Sequence, residues 1–274
     1  MSLFEIRDMD AIDERFVGTC THVDDTPDVL HRKEIDASAK RRLEWLQSMY
    51  ERGSRVKVAL IDGKRVGFLY VMPIEVCPWG PLGEDLMVIP CLVAMKKVKG
   101  KGVGRALIKA AEEEARRQGS KGLVTTAYYS NFWFMPAPFF EKCGFKKIKT
   151  RRVTAEGEKE FLDTEAILWK PFVSSAKLPE FLVSTYRFKP VKGKVVVDLF
   201  WSTFCQTVSI EAQRVREVAA EFGKTVVLHE YCTDNRPILE KYQIARGIFI
   251  NGKEIGWGYE APKEGIRKAI NHSL

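Results

Sequence analysis

Apolar and polar positions change period several times along the chain, and each change marks an element. Lys97 to Gly119, KVKGKGVGRALIKAAEEEARRQG, passes from a turn studded with glycine and lysine into a strong helical pattern. Ala106, Leu107, Ala110, Ala111 and Ala115 recur near helical spacing, while Glu112, Glu113, Arg116 and Arg117 fill the opposite side. Just upstream, DLMVIPCLVAM, Asp85 to Met95, is a mostly apolar run that reads as a buried strand. FEIRDM at Phe4 predicts a first strand, and EIDASAKRRLEWLQSMYERG predicts a helix that ends with Gly53 as its C-cap. VKVALIDGKRVGFLYVMPIEV predicts a hairpin turning at Asp62-Gly63, followed by the Pro/Gly-rich loop CPWGPLGED. GLVTTAYYS predicts a further strand, Pro138 to Lys142 a short helix, and GFKKIKTRRV and EFLDTEAILWKPF two late strands. The expected product is a mixed, mainly antiparallel sheet with inserted helices.

Beyond Phe172 the pattern restarts. Val173 to Lys194 mixes Ser, Pro and Lys with little periodicity and reads as a linker, after which KVVVDLFW opens a βαβ unit followed by αββα. The organisation predicted is therefore a first domain over 1–172, a linker over 173–193 and a smaller α/β domain over 194–274. A length of 274 residues accommodates two ordinary domains.

Composition narrows the function classes. An apolar fraction of 45% and a charged fraction of 29% are those of a soluble globular protein. Net charge is +8; the chain up to Ser174 carries 29 basic and 25 acidic residues and the remainder 15 and 11, an excess of +4 in each part. Charge spread this evenly is no nucleic-acid footprint, so no nucleic-acid partner is expected. No apolar run reaches the roughly 18 residues of a membrane span, and the early acids of MSLFEIRDMDAIDE argue against a secretory signal. Six cysteines at 20, 77, 91, 143, 205 and 232 have neither C-x-x-C nor metal-ligand spacing, which fits reduced thiols in a cytoplasmic protein without a metal centre.

The Lys97 turn carries the chemistry. The first N–H groups of a helix have no partner within it, and the macrodipole places about half a positive charge there, so such a turn attracts an anion. Lys99, Lys101 and Arg105 add cations, and a phosphate is the natural guest. No Gly-Lys-Ser/Thr follows at Walker spacing, and Leu107 stands where a dinucleotide fingerprint needs its third glycine, so both of those nucleotide sites are excluded.

Lys99-Gly100-Lys101-Gly102-Val103-Gly104 resembles the pyrophosphate signature Arg/Gln-x-x-Gly-x-Gly/Ala of the GNAT superfamily of acyl-CoA-dependent N-acetyltransferases, with lysine replacing the first residue. FFEKCGF, Phe139 to Phe145, is similar to that family's short helix before a late strand, and Asn131 stands where such sequences often carry asparagine. The resemblance spans most of residues 4–172. It implies acetyl-CoA as cofactor, with the backbone of Leu92 and Ala94 on the pantetheine arm and the amides from Gly100 through Gly102, Val103 and Gly104 to Arg105 on the pyrophosphate. It also implies a small-molecule or peptide amine as acceptor, and it leaves a homodimer open. Two familiar catalytic groups are missing. Val88 occupies the usual acidic position of the fourth strand, leaving Glu84 and Glu75 as substitute bases. Phe140 occupies the position of a tyrosine that protonates the departing thiolate, leaving Tyr128 and Tyr129 as sources of a phenol. CPWGPLGED and the segment Gly18 to Glu34 are expected as loops walling the acceptor site, with His22 and His31 as solvated side chains.

Residues 194–270 resemble a thioredoxin-like domain, with FWSTFC at the place of Trp-Cys-x-x-Cys. Ser202 replaces the attacking cysteine and Cys205 remains, at a helix N-terminus whose dipole can lower a thiol pKa. The combination is similar to the YoaP-type N-acetyltransferases. Alternatives to an acetyltransferase are a single-thiol redox protein centred on Cys205 with a CoA-sensing front domain, and a non-catalytic CoA-binding interaction module.

Overall fold

A computed structural model describes residues 4–22, 29–129, 134–152, 164–256 and 260–274. Seven strands build the first sheet: β1 (Phe4–Asp8), β2 (Arg55–Ile61), β3 (Lys64–Pro73), β4 (Met87–Ala94), β5 (Gly122–Tyr128), β6 (Lys146–Arg151) and β7 (Glu165–Pro171). Their order is β1-β2-β3-β4-β5-β7-β6, antiparallel throughout except for the parallel pair β4–β5. The β2–β3 hairpin turns at Asp62 and Gly63, as the alternation predicts. Both faces of this sheet are buried, which is why β3 and β4 read as continuous apolar runs.

One face is covered by α3 (Val103–Arg117) and α4 (Ala137–Lys142), packed on Leu69, Val71, Ile89 and Leu123. The other is covered by α1 (Glu14–Thr19) and α2 (Val29–Glu51), packed on Val58, Phe68, Tyr70 and Val88. The segment from Gly18 to Glu34, expected as a loop, is helical at Gly18–Thr19 and again from Val29, while its residues 23–28 lie outside the described residues. Val29 and Leu30, apolar yet exposed, are followed by the polar run His31-Arg32-Lys33-Glu34, so the start of α2 shows no apolar face to a periodicity argument. The buried face of α3 also holds a carboxylate: Glu114, 2% exposed, accepts from Lys57 Nζ at 2.8 Å and Gln118 Nε2 at 2.6 Å and pairs with Arg117. Burial alone would raise its pKa, but these donors bring it down to about 2.

The second sheet has four strands, β8 (Val195–Trp201), β9 (Val226–Cys232), β10 (Gly247–Ile250) and β11 (Lys253–Ile255), in the order β11-β10-β8-β9. β8 and β9 are parallel, and β10 is antiparallel to β8. Helices α5 (Gln206–Glu221) and α7 (Lys263–Asn271) cover one face, packing on Val195, Val197 and Ile248, and α6 (Arg236–Tyr242) lies between β9 and β10 in sequence. On the opposite face Phe200, Phe249, Tyr186, Tyr231 and Tyr242 stack on one another.

The two sheets share a boundary. Phe204, just ahead of α5, enters the core beneath the first sheet, its ring 6.0 Å from Trp45 and 5.2 Å from Tyr70. Arg42, 1% exposed, lies over both Tyr70 and Phe204. Residues 173–193 carry no regular element and are tied on both sides: Leu82 and Glu180 exchange backbone hydrogen bonds, and Thr185 N donates to Tyr242 O. Among the described residues no helix is long and apolar enough to cross a membrane.

Candidate functional site

Strands β4 and β5 pair only at Met87↔Leu123 and Val88↔Val124. The β3–β4 ladder shifts register between Tyr70 and Met72, opposite Ile89 and Pro90, so β4 carries one extra residue there; proline, lacking an N–H, suits such a bulge. At the fork Thr125 Oγ1 donates to Ile89 O at 2.7 Å. Past it β4 continues to pair with β3 as far as Gly67↔Ala94, while no strand among the described residues pairs with its other edge. Leu92 is half-buried and packs toward α3, and Ala94 is exposed.

A single helical turn, Lys96–Val98, then delivers the chain to the glycines. Gly102 takes φ 82°, in the left-handed region, and stands as N-cap of α3 with no side chain capping it. Within the turn Lys99 N bonds Lys96 O, Lys101 N bonds Val98 O and Ala106 N bonds Gly102 O. The amides of Gly102, Val103, Gly104 and Arg105 have no protein partner among the described residues. Cβ atoms built on Gly100 or Gly102 meet nothing within 4 Å, so the approach to these amides is open. Gly104 answers a different need, because a Cβ there would come within 2.9 Å of Phe139 on α4. Lys99, Lys101 and Arg105 are exposed around the rim, and Val103 anchors the turn in the core. A strand edge running into four open amides at a helix N-terminus can hold an extended ligand that ends in phosphates.

Residues 52–147, which contain this strand, turn and helix, match the family model of the acetyltransferase (GNAT) domain. The chain carries a GNAT acetyltransferase domain. Acetyl-CoA is the acyl donor of such a domain, and the open amides and splayed strands fit it. No curated protein matches the chain. It is similar to the solved structure of a ribosomal-protein-alanine N-acetyltransferase from Brucella melitensis, with 18% identity, a TM-score of 0.45 and coverage of 61% of this chain and 99% of that one. It is similar also to a Bacillus subtilis acetyltransferase in complex with CoA (13% identity, TM-score 0.40, coverage 63% and 100%). A third similar structure is Ard1 from Thermoplasma volcanium (16% identity, TM-score 0.43, coverage 62% and 98%).

The GNAT signature residues gather at one end of β4, whereas the candidate catalysts disperse. Glu84 is ion-paired with Lys177 of the 173–193 segment, and Glu75 accepts the Asp85 N–H at 2.7 Å within the loop before β4, so both acids have structural partners. Tyr128 is buried and its hydroxyl donates to Glu165 at 3.4 Å; burial and that carboxylate raise its pKa well above the ordinary phenol value. Tyr129 is half-buried at the end of β5, donates to Glu141 on α4, and is pushed up to about 12 by desolvation and that carboxylate. Phe140 is fully buried against Phe139 and Phe145. Asn131 lies outside the described residues.

Two expectations are corrected. Cys205 is the N-cap of α5, half-buried against the core beneath the first sheet, and burial raises its thiol pKa, outweighing the lowering that a helix dipole can give. His22 is not solvated: it is 6% exposed, with Nε2 2.9 Å from Glu260 and Nδ1 3.3 Å from Gln206 Oε1. His31 Nε2 reaches the same carboxylate at 3.4 Å. No signal in the sequence linked these histidines to an acid in the far tail. A cleft of about 440 Å³ between α1 and α2, lined by Glu14, Asp36, Lys40 and Glu44 among others, shares no residue with the acyl-CoA turn.

Proposed function

We propose that the protein is an N-acetyltransferase that moves the acetyl group of acetyl-CoA to an amine of a small molecule or a peptide. The observation that carries this reading is the set of open amides from Gly102 to Arg105 at the end of a strand splayed from its parallel neighbour. In this assignment the backbone at Leu92 and Ala94 pairs with the pantetheine arm, and the amides of Gly102 to Arg105, with the side chains of Lys99 and Lys101, hold the diphosphate; the Lys101 amide, expected to join them, is taken by Val98 O. The acceptor nitrogen, neutral, attacks the thioester carbonyl, the C–S bond breaks, the nitrogen loses a proton and the thiolate gains one. Holding the two reactants together supplies much of the rate. Tyr129 is the proposed proton donor to the thiolate: its phenol, pushed up to about 12, is protonated at neutral pH, and the hydroxyl turns from Glu141 to deliver that proton. Glu75 and Glu84 remain the candidate bases, Glu75 held by the Asp85 N–H and Glu84 by Lys177.

We further assign 1–172 to the acetyltransferase domain, 173–193 to the linker and 194–274 to a thioredoxin-like domain of the YoaP type. Support comes from the order β11-β10-β8-β9 with β10 antiparallel and from a helix that follows β8 directly after FWSTFC. The raised thiol pKa of half-buried Cys205 and the serine in place of a second cysteine at position 202 speak against dithiol exchange as the main activity. Six free cysteines support work in the reducing cytoplasm. The test is coenzyme A release from acetyl-CoA in the presence of a panel of small amines and peptide amino termini. Release that depends on the amine is the expected result; a folded protein that neither binds acetyl-CoA nor releases the thiol with any amine overturns the assignment.

A further inference from the structure

Two of the chain's four histidines meet a buried glutamate at the boundary between the two sheets. His22 follows α1, His31 sits in the first turns of α2, and Glu260 precedes α7, 229 residues beyond His31. Their donor atoms all lie within 4.8 Å of one another, and the imidazole rings stand edge to face at 5.5 Å. We propose that His22, His31 and Glu260 form a binding site for a divalent transition-metal ion of the zinc class.

Geometry supports this. Zinc bonds of about 2.0–2.1 Å in a tetrahedron place neighbouring ligand atoms about 3.3 Å apart. His22 Nε2 is 2.9 Å from Glu260 Oε1 and His31 Nε2 is 3.4 Å from Oε2, close to that separation, and with all three donor atoms within 4.8 Å of one another side-chain rotation suffices to close them round an ion. Chemistry supports it as well. Two imidazoles and a carboxylate suit zinc and its first-row neighbours, whereas magnesium and calcium prefer oxygen-only shells. The Nδ1 of His22 faces Gln206 Oε1 at 3.3 Å; a proton on Nδ1 leaves the Nε2 lone pair aimed at the centre of the cluster, the usual outer-shell support of a metal-bound histidine.

Charge balance permits a cation. Arg214 approaches Glu260 at 3.4 Å, yet its stronger partners are elsewhere: Glu34 at 2.6 Å and the carbonyl of Ala261 at 3.0 Å. Lys263, near Glu34 at 3.7 Å, is held by Glu217 at 2.5 Å. Arg214 and Glu34 neutralise each other, and Glu260 remains to meet the ion. Because the ligands come from both ends of the chain, a bound ion would clamp the start of α2 to the segment before α7. This inference does not depend on acyl transfer.

The experiment titrates zinc chloride, after removal of metal by a chelator, into the full-length protein and follows binding by calorimetry. The expected result is one saturable zinc per chain and a Tm higher by ~5 °C at a hundredfold excess over Kd. Cobalt in place of zinc separates this site from the cysteines: visible bands without thiolate charge transfer are expected. His31→Gln and Glu260→Gln should each weaken zinc binding by about a hundredfold or more. Absence of saturable binding by the unaltered protein, a cobalt spectrum dominated by thiolate, or undiminished affinity in both variants overturns the proposal. The cobalt spectrum of the unaltered protein decides the matter even if a variant fails to fold.

Discussion

Gly102 offers a test in which folding and donor binding move in opposite directions. Its φ of 82° and ψ of 0° lie in the left-handed region, and a Cβ there would touch nothing within 4 Å. Gly102→Ala therefore costs only the backbone term, about 1 kcal/mol. Gly102→Asp meets the same backbone, but aspartate visits that region more readily, and a carboxylate at a helix N-terminus recovers roughly 0.3–1 kcal/mol from the dipole. The Asp variant should thus be at least as stable as the Ala variant, and both should melt within ~4 °C of the parent. Donor binding should respond otherwise. A carboxylate ~5 Å from a phosphate charge is repelled by about 1 kcal/mol at water-like screening and about 3 kcal/mol at the effective dielectric near a protein surface. With Lys99, Lys101 and Arg105 sharing the site, Gly102→Asp should raise the Kd for acetyl-CoA by roughly tenfold to a hundredfold, and Gly102→Ala by less than about threefold. Calorimetric titration with acetyl-CoA measures the affinities, thermal melts report folding, and added salt should shrink the Asp penalty. A folded Gly102→Asp protein that binds as tightly as the parent, or an Ala variant that loses as much as the Asp variant, would refute the anion cradle.

Glu114→Gln should lower stability at pH 7 by about 2 kcal/mol, less than a fully enclosed pair because Arg117 and Asp8, at the ends of its ion-pair chain, are exposed. Since its folded pKa is lowered from 4.5 to about 2, Glu114 contributes stability above pH 4.5 that is lost as the pH falls toward 2; denaturant melts should show the Gln variant losing less of its stability across that window. Tyr129→Phe should reduce kcat by roughly a hundredfold while leaving acetyl-CoA affinity unchanged, measured by thiol release and calorimetry; full activity would remove Tyr129 as the acid. Cys205, its thiol pKa raised by burial, should alkylate with iodoacetamide more slowly than free cysteine at pH 7.5, as mass spectrometry of a time course would show; faster labelling would restore the single-thiol redox reading.

What the sequence by itself determined about this protein was local. The strand–turn–helix from Met87 through Gly102 to Arg117, the hairpin at Asp62-Gly63 and the helix before Gly53 rest on periodicity and turn chemistry within about 20 residues. The acyl-donor site was legible for that reason, since its amides belong to consecutive residues whose conformation glycine permits. The catalytic groups were less so, because Glu75, Glu84, Tyr128 and Tyr129 are defined by partners such as Lys177, Glu165 and Glu141 that no spacing announces. Tertiary structure alone decided that β7 lies between β5 and β6, that Phe204 is buried beneath the other sheet and that Cys205 is half-buried beside it. It alone placed Glu260 between His22 and His31. Burial and charge pairing are sums over neighbours far apart in the chain, and a one-dimensional pattern carries the period of an element but not the identity of what covers it.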